Sequence, residues 1–300
     1  MNAPRDPEAL GATAVPIGGE LAAGTAVGPV HLTVADLERS LAFYRRAIGL
    51  DVLSRDDRSA SLGAGTNELL VLVEERGARS ATGHTGLYHF ALLLPARDDL
   101  ARWLAHAARD GVPLTGLSDH FVSEALYLDD PDGHGIEIYW DRPRDVWQGQ
   151  VAERMTTLRL DVESLLGELE DPASAPFDRL PSGTTMGHIH LKVGDIPAAV
   201  KFYRDVLGFG LMARLGGQAA FFGAAGYHHH VGTNTWESRG AAPPPPGTAA
   251  LRQATLVLPD AVARDAVLER LERAGHRTDG GSQVQDPSGN RLLLEVASGR

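Results

Sequence analysis

The chain of 300 residues contains no cysteine. Disulfides, zinc–thiolate sites, iron–sulfur clusters and cysteine nucleophiles are therefore excluded as features of this protein. Any metal ion would have to be held by histidine or carboxylate side chains.

Clustered positive charge and long apolar runs are missing as well. The formal net charge is −11, which opposes a nucleic-acid partner because phosphate backbones are bound by clusters of lysine and arginine. No stretch approaches the roughly 18 consecutive apolar residues of a membrane span, and the N-terminus has no basic segment followed by an apolar run. The composition predicts a globular protein of the cytoplasm, with neither nucleic acid nor a membrane as a partner.

The chain repeats itself. A segment that begins at His31 recurs from His190, and each copy reads as a short strand, an Asp that caps a helix, an amphipathic helix and a Gly that ends it. Segments 89–139 and 253–296 are related in the same way, each with an Asp-Pro-x-Gly turn before its last strand. The positions that match without a gap in the first pair are Asp36 and Asp195, Phe43 and Phe202, Tyr44 and Tyr203, Arg45 and Arg204, and Gly49 and Gly208.

These repeats predict four modules, each made of a strand, a helix and several further strands. Their approximate ranges are 28–85, 86–141, 187–246 and 247–297.

The modules divide the chain into domains. Modules one and two would form an N-terminal domain, 28–141, and modules three and four a C-terminal domain, 187–297. Residues 1–27 are rich in Ala, Gly and Pro and predict a flexible leader. Residues 142–186 predict a linker with one helix that begins at Asp161.

Six segments form a recognisable set. They are Phe43-Tyr-Arg with Gly49-Leu, Leu87-Tyr-His-Phe-Ala-Leu-Leu-Leu-Pro, Ser118-Asp-His-Phe-Val-Ser-Glu-Ala-Leu-Tyr, Asp130-Pro-Asp-Gly-His-Gly-Ile-Glu-Ile-Tyr, Gly187-His-Ile-His-Leu and Gly226-Tyr-His-His-His-Val-Gly. Together they resemble the two-domain bacterial catechol 2,3-dioxygenases of the vicinal oxygen chelate superfamily, which also includes glyoxalase I and bleomycin-resistance proteins. The resemblance covers nearly all of residues 28–297.

The resemblance implies an α+β fold in which four βαβββ modules pair into curled half-barrel sheets. It implies metal ligands on first and last strands of the modules, and a mononuclear Fe(II) centre whose ligands could also hold Mn(II) or Zn(II). The implied reaction is extradiol ring cleavage of a small aromatic diol by O2. Association into a homo-oligomer is left open.

The ligand positions can be compared across the four modules. Modules two and three carry His89 and His188 at the first-strand position, and module two carries Glu137 at the last-strand position. Two histidines and one carboxylate form the facial-triad pattern that suits non-haem Fe(II). One complete site therefore predicts that module two pairs with module three. The equivalent positions of modules one and four hold Pro29, Gln253 and Leu293, none of which is a usual ligand here.

Other interpretations of these residues stay open. A single histidine on a strand is usually a hydrogen-bonded packing residue, and Glu137 could be an exposed charge. His31 and His190 lie two residues beyond the first-strand positions of their modules and share that strand face. His31 could form a site with His89 and Glu137 within the first half, although His188 would then have no role.

The resemblance also implies residues that act on the substrate. The acid–base histidine of the family corresponds to His229, which lies three residues before Gly232, and His230 is the second choice. Tyr127 corresponds to an active-site tyrosine, and His120 lies near a further acid–base histidine, displaced by two positions. Each residue also has an ordinary alternative role. His229 could belong to a histidine cluster that binds stray metal, Tyr127 could be an aromatic residue of the core, and His120 could be a loop histidine. Candidates to line an aromatic pocket are Phe121, Phe222, Tyr227 and Trp236.

Two further functions fit the same sequence. One is another vicinal oxygen chelate reaction of the glyoxalase or thiol-transferase type, which would normally have Glu at more of the ligand positions. The other is a metal-free protein that binds an aromatic drug in the same cleft. The substituents of the catechol are not indicated by the sequence.

Overall fold

The computed structural model describes residues 20–297 of the chain. Most of the predicted leader, residues 1–27, lies outside this range. The backbone N–H groups of Glu20 and Leu21 both donate hydrogen bonds to the carbonyl of Gly208, and the Leu21 side chain is buried. The folded part therefore begins before the boundary at residue 27 that the composition suggests, because one apolar side chain among small residues gives no periodic signal.

The first half of the chain contains the predicted modules one and two. Each starts with a long strand, continues into a helix and adds further strands. Module one contains β1 (Ala26–Val34), α1 (Leu37–Phe43) with a π-helical turn (Tyr44–Ile48), β2 (Asp51–Arg55), β3 (Ser59–Ala64), β4 (Asn67–Glu74) and β5 (Arg79–Ser80). Module two contains β6 (Gly86–Leu93), α2 (Arg97–Asp110), β7 (Gly116–Asp119), β8 (Ser123–Asp129) and β9 (Gly135–Asp141).

The linker, residues 142–186, holds more structure than the one helix predicted. The structure describes it throughout, and it contains α3 (Arg144–Trp147), α4 (Val151–Arg154), β10 (Leu158–Arg159) and α5 (Val162–Leu166). Trp147, Val151 and Met155 are buried in a small apolar cluster with Phe221. A four-residue helix is too short for its apolar periodicity to be visible in a sequence, so only α5 could be predicted.

The second half contains the predicted modules three and four. Module three contains β11 (Thr185–Lys192), α6 (Ile196–Val200) with a π-helical turn (Lys201–Val206), β12 (Gly210–Leu215), β13 (Ala219–Gly223) and β14 (Val231–Asn234). Module four contains β15 (Thr248–Ala249), β16 (Leu251–Leu258), α7 (Ala261–Arg273), β17 (Gln283–Gln285) and β18 (Arg291–Val296).

Helices α1 and α6 hold equivalent positions in modules one and three and are built alike. The side chains of Asp36 and Asp195 cap them by accepting hydrogen bonds from backbone N–H groups three residues further on. After the π-helical turns the chain reverses at Gly49 and Gly208, whose φ angles of 90° and 95° favour glycine. These caps and terminating glycines are the predicted ones. Along the described chain no helix is long and apolar enough to cross a membrane.

The strands of residues 20–297 form two large sheets and one small pair, β5 with β15. The seven-stranded sheet, in the order β17-β18-β16-β1-β4-β3-β2, combines modules one and four. The nine-stranded sheet, in the order β10-β7-β8-β9-β6-β11-β14-β13-β12, combines modules two and three with the linker strand. The fold is α+β with curled half-barrel sheets, as the resemblance implies. The pairing of module two with module three agrees with the inference from the ligand positions.

Two buried tyrosines connect the large sheets. Tyr44 of module one donates its hydroxyl hydrogen to Asp130 of module two over 2.8 Å, and Tyr203 of module three donates to Asp286 of module four over 3.0 Å. Each aspartate also accepts hydrogen bonds from backbone N–H groups of its own turn. The two modules of each half lie in different sheets, so these contacts explain why the Phe-Tyr-Arg and Asp-Pro-x-Gly motifs recur together.

Candidate metal centre

Three side chains converge on the inner face of the nine-stranded sheet. His89 lies on β6, Glu137 on β9 and His188 on β11. The Nε2 atoms of His89 and His188 lie 3.1 and 3.0 Å from Oε2 of Glu137 and 3.4 Å from each other. All three residues are buried, with exposed fractions of 4%, 2% and 2%. A single ion could therefore contact one atom of each.

Strand register places these side chains together. Both Glu137 and His188 are cross-strand partners of Ala91 on the central strand β6, one on each side. His89 precedes Ala91 by two residues, so it points to the same face of the sheet. Paired residues of neighbouring strands share a face and lie about 5 Å apart. Three adjacent strands thus deliver the three ligand candidates to one point, and the small side chain of Ala91 leaves room between them.

The charges of these groups suit a metal ion. Burial alone would raise the pKa of Glu137, but charge interactions and hydrogen bonds with His188 and His89 outweigh it and hold that pKa well below its usual range. Burial lowers the pKa of His188 more strongly than the Glu137 carboxylate raises it. An ionised carboxylate and a neutral imidazole are the forms that bind metals. The donor set fits a divalent ion such as Fe(II), Mn(II) or Zn(II).

Neither rival histidine belongs to this group of three. His31 is on β1 of the seven-stranded sheet, opposite Gln253 of β16. His190 is on β11 beside the centre, with its ring centroid 5.0 Å from that of His89. Within residues 20–297 the only group of three metal-binding side chains is His89, Glu137 and His188. The alternative site of His31, His89 and Glu137 is therefore not formed.

His229 covers one side of the centre. Its ring centroid lies 4.1 Å from that of His188, and the residue is buried. The triple-histidine segment lies outside the strands, and β14 begins only at Val231. Its side chains nevertheless alternate in direction. Nδ1 of His230 accepts a hydrogen bond from the Ala224 N–H, and His228 contacts Asp141, so both rings face away from the centre.

His120 and Tyr127 line the same small cavity as His229. Tyr127 is the cross-strand partner of Glu137 and therefore shares its face. Nδ1 of His120 lies 3.0 Å from the carbonyl oxygen of Thr156, which can only accept, so this nitrogen donates. In a neutral ring Nε2 then accepts, and the Tyr127 hydroxyl, 2.7 Å away, donates to it. The linker residue Thr156 thus fixes the orientation of this pair.

Two cavities adjoin the centre. A small one of about 10 Å³ lies among the ligand candidates, His229, His120 and Tyr127, and its wall also includes His190, Val122, Ser123, Met155 and Phe221. A larger one of about 640 Å³ shares His89 and Tyr127 with it and extends past Tyr88 and Trp236. The larger volume is in the range of small-molecule sites.

Only one of the four predicted pocket aromatics lines either cavity, and that residue is Trp236. Phe222 is fully buried in the main core, and Tyr227 donates a hydrogen bond to Asp141. Phe121 stacks against the guanidinium group of Arg154. The prediction was wrong for these three. Phe222 lies on β13 with its side chain on the face opposite that of Phe221, and Phe121 and Tyr227 lie outside the strands, where side-chain direction does not follow strand alternation.

Sequence reasoning missed several residues of the site. Tyr88 and Phe221 line the two cavities, and Met155 reaches the centre from the linker. Asp141 and His228 form a buried contact next to His229. Asp141 follows Glu137 by four residues on the same strand face, and this spacing is the one sequence signal that could have found it.

Comparisons with known proteins agree with this architecture. Residues 26–138 and 185–294 match the profile described as the Glyoxalase/Bleomycin resistance protein/Dioxygenase superfamily. The chain is 44% identical over 281 residues to the catechol-2,3-dioxygenase of Bacillus subtilis (strain 168), covering 91% of this chain and 97% of that protein.

Two solved structures share the fold at low sequence identity. Glyoxalase I from Zea mays aligns with a TM-score of 0.54 and 19% identity, covering 90% of this chain and 92% of that one. The cppA protein from Streptococcus pneumoniae TIGR4 aligns with a TM-score of 0.54 and 13% identity, covering 93% of this chain and 100% of that one. With two matched ranges that include most of both halves, the chain belongs to the glyoxalase/bleomycin resistance protein/dioxygenase superfamily.

Proposed function

We propose that this protein is an extradiol dioxygenase that opens the ring of a small aromatic diol of the catechol type with O2. The proposal is carried by one observation: a buried group of two histidines and one glutamate in a chain 44% identical to a catechol-2,3-dioxygenase over nearly the whole of that enzyme. A curled half-barrel sheet and an adjoining cavity of about 640 Å³ support it.

His89, Glu137 and His188 would hold a mononuclear Fe(II). Each of the three residues would supply one donor atom, which gives the two-histidine, one-carboxylate set that suits non-haem Fe(II). When bound, Fe(II) would supply the redox chemistry that links an aromatic diol to O2. Zn(II) and Mn(II) fit the same donors, and iron is proposed because it is the usual metal of such a triad in oxygenases.

His229 is proposed as the acid–base group. Its ring lies against His188 and lines the small cavity among the three ligand candidates. A neutral imidazole there can take a proton from a diol hydroxyl as it binds and return it later in the reaction. His230 is unsuited to this task, because its ring faces the Ala224 backbone.

Tyr127 and His120 are proposed to act as a pair. The hydrogen bond between the Tyr127 hydroxyl and His120 puts a polar O–H group at the centre, and the Thr156 carbonyl keeps His120 in the accepting tautomer. In this arrangement the Tyr127 oxygen can accept a hydrogen bond from a diol hydroxyl, and rotation of its own hydrogen away from His120 would let it donate to negative charge that develops on the substrate. Trp236 and Tyr88 would contact the aromatic ring or its substituents in the larger cavity.

Anaerobic reconstitution with Fe(II), followed by a panel of catechols with oxygen-uptake detection, tests the function. Wild-type protein should consume one O2 per catechol and form a ring-opened semialdehyde, and Glu137→Gln should do neither. Metal-dependent conversion of a glutathione hemithioacetal without oxygen uptake would instead indicate a glyoxalase. Tight binding of aromatic compounds by metal-free protein, with no turnover after iron loading, would indicate a binding protein.

A further inference from the structure

A chain of polar contacts leads away from His229 to a carboxylate that the proposed reaction does not use. Nδ1 of His229 lies 2.8 Å from Nδ1 of His228, and Nε2 of His228 lies 2.8 Å from Oδ1 of Asp141. His228 is completely buried, and Asp141 has 18% of its side chain exposed. The other oxygen of Asp141 accepts a hydrogen bond of 2.7 Å from the Tyr227 hydroxyl.

The order of donors along this chain is fixed from its carboxylate end. An ionised carboxylate can only accept, so Nε2 of His228 carries the hydrogen and donates it to Asp141. A neutral His228 then has a lone pair at Nδ1. The facing nitrogen of His229 must therefore be the donor in their contact. A neutral imidazole carries one ring hydrogen, so Nε2 of His229 is left with a lone pair.

Strand β9 couples this chain to the metal centre. Glu137, Tyr139 and Asp141 alternate along it and so share one face. Tyr139 packs its ring 4.9 Å from that of His188, and its hydroxyl lies 3.1 Å from that of Tyr227. Strand β9 thus carries both the ligand candidate Glu137 and Asp141, the carboxylate that ends the polar chain. Because both residues lie on one strand, the distance between them is fixed.

We propose that Asp141, acting through His228, positions His229 and sets its tautomer, with Nδ1–H directed at His228 and an unprotonated Nε2 directed at the metal centre. The inference rests on the proposed function for its catalytic consequence. In the proposed reaction a diol O–H bond breaks and an Nε2–H bond forms at His229. The resulting imidazolium keeps its hydrogen bond to His228, and the Asp141 carboxylate offsets the new charge from the far end of the chain. The opposite tautomer would present an N–H group to the diol and could not accept the proton.

The tautomer can be measured without turnover. Two-bond hydrogen–nitrogen correlation spectra of metal-free protein labelled with 15N-histidine distinguish Nδ1–H from Nε2–H rings, and His229→Gln identifies the signals of His229. We expect Nδ1–H at His229 in the wild type. An Nε2–H ring at His229 would overturn the proposal, whether or not the protein cleaves catechols.

Asp141→Ala tests the positioning step. Without the carboxylate, His228 is free to reverse, and we expect the His229 signals to move to the Nε2–H form or to a mixture. In iron-loaded protein kcat should fall by about 100-fold or more while KM and iron content change little, as for loss of a positioned proton-transfer group. Tyr227→Phe is the matched control, since it removes a different hydrogen bond from the same carboxylate and should leave the His229 tautomer unchanged.

Different results would contradict the positioning role of Asp141 and the proposed dioxygenase function. Asp141→Ala with an unchanged His229 tautomer would overturn the positioning role. If that variant does not fold, the wild-type spectrum still decides the tautomer, and Asp141→Asn, which keeps the shape of the side chain, replaces it in the kinetic comparison. Wild-type protein with the expected tautomer but no catechol cleavage would instead remove the proposed function.

Discussion

At the residue scale, the three ligand candidates differ from His31 in where their side chains lie. His89, Glu137 and His188 meet with donor atoms 3.0 to 3.4 Å apart, whereas His31 lies in the other sheet. At these distances a single ion can contact one atom of each of the three residues.

Iron retention is the first prediction at this scale. His188→Ala should lose tightly bound iron as completely as His89→Ala or Glu137→Ala, because each removes one of only three donors. His31→Ala is the control and should keep about one iron per chain. Elemental analysis after anaerobic reconstitution and desalting makes the comparison. Iron loss from His31→Ala together with retention in His188→Ala would contradict the proposed centre.

The second prediction separates metal binding from proton transfer. His229→Asn should keep iron and catechol affinity but slow ring cleavage by about 100- to 10,000-fold, since it removes a positioned proton-transfer group. The neighbouring His230→Asn should have a much smaller effect, because that ring faces the Ala224 backbone. Oxygen consumption and iron content are measured on both variants. Wild-type turnover by iron-loaded His229→Asn would refute the assigned role.

At the scale of elements, the helix motif of one large sheet is hydrogen-bonded to the turn motif of the other. The hydroxyls of Tyr44 and Tyr203 each bond a buried aspartate of the following module. Burial, followed by the nearby Asp130 carboxylate, raises the pKa of Tyr44 well above its usual value, so the hydroxyl stays a donor.

Tyr44→Phe should lower the free energy of unfolding by about 1–3 kcal/mol, because it leaves Asp130 with an unmet buried acceptor. Tyr203→Phe should cost less, since the same oxygen of Asp286 also accepts a hydrogen bond from the side-chain amide of Asn290. Urea unfolding of metal-free protein measures both, and iron binding in the folded variants should be unchanged. Losses below about 0.5 kcal/mol in both variants would show that these hydrogen bonds do not hold the sheets together.

Much of this architecture follows from the sequence because it is repeated. The caps at Asp36 and Asp195 and the reversals at Gly49 and Gly208 use local chemistry that a single segment encodes. The pairing of module two with module three could be inferred from the sequence because one set of ligand positions is filled and the other holds Pro29, Gln253 and Leu293.

Other features depend on contacts between distant segments and escape a sequence pattern. The triple-histidine segment lies in a turn before β14, and helices α3 and α4 are defined by burial of Trp147 and Val151 against module three. The contact between His228 and Asp141 joins residues far apart in the chain. The aromatic lining predicted at Phe121, Phe222 and Tyr227 failed for the same reason.

At the scale of the whole molecule, buried neutral histidines tie stability to pH. Burial, and then the charges of neighbouring histidines, lower the pKa of His230 to about 3. The unfolded value is about 6.5. A folded pKa below the unfolded one means that the stability contributed by the neutral ring is fully present above pH ~6.5 and is lost as the pH falls from there towards 3.

The free energy of unfolding of the metal-free protein should therefore decrease on acidification below pH ~6.5, by up to about 1.4 kcal/mol per pH unit for each such histidine. His230→Asn, whose side-chain oxygen can still accept from the Ala224 N–H, should show a shallower slope. Urea unfolding between pH 7.5 and 4 compares the two proteins. Parallel curves would mean that His230 does not titrate in this way.

The proposed function requires one iron-dependent site for extradiol cleavage in the nine-stranded sheet, built on His89, Glu137 and His188. Mass spectrometry of the product formed from catechol and 18O2, trapped quickly after mixing with anaerobically iron-loaded protein, tests this proposal most directly. We expect a ring-opened product that carries both atoms of one O2 molecule, and no such product from Glu137→Gln. An intact ring, or a product without oxygen from O2, would contradict it.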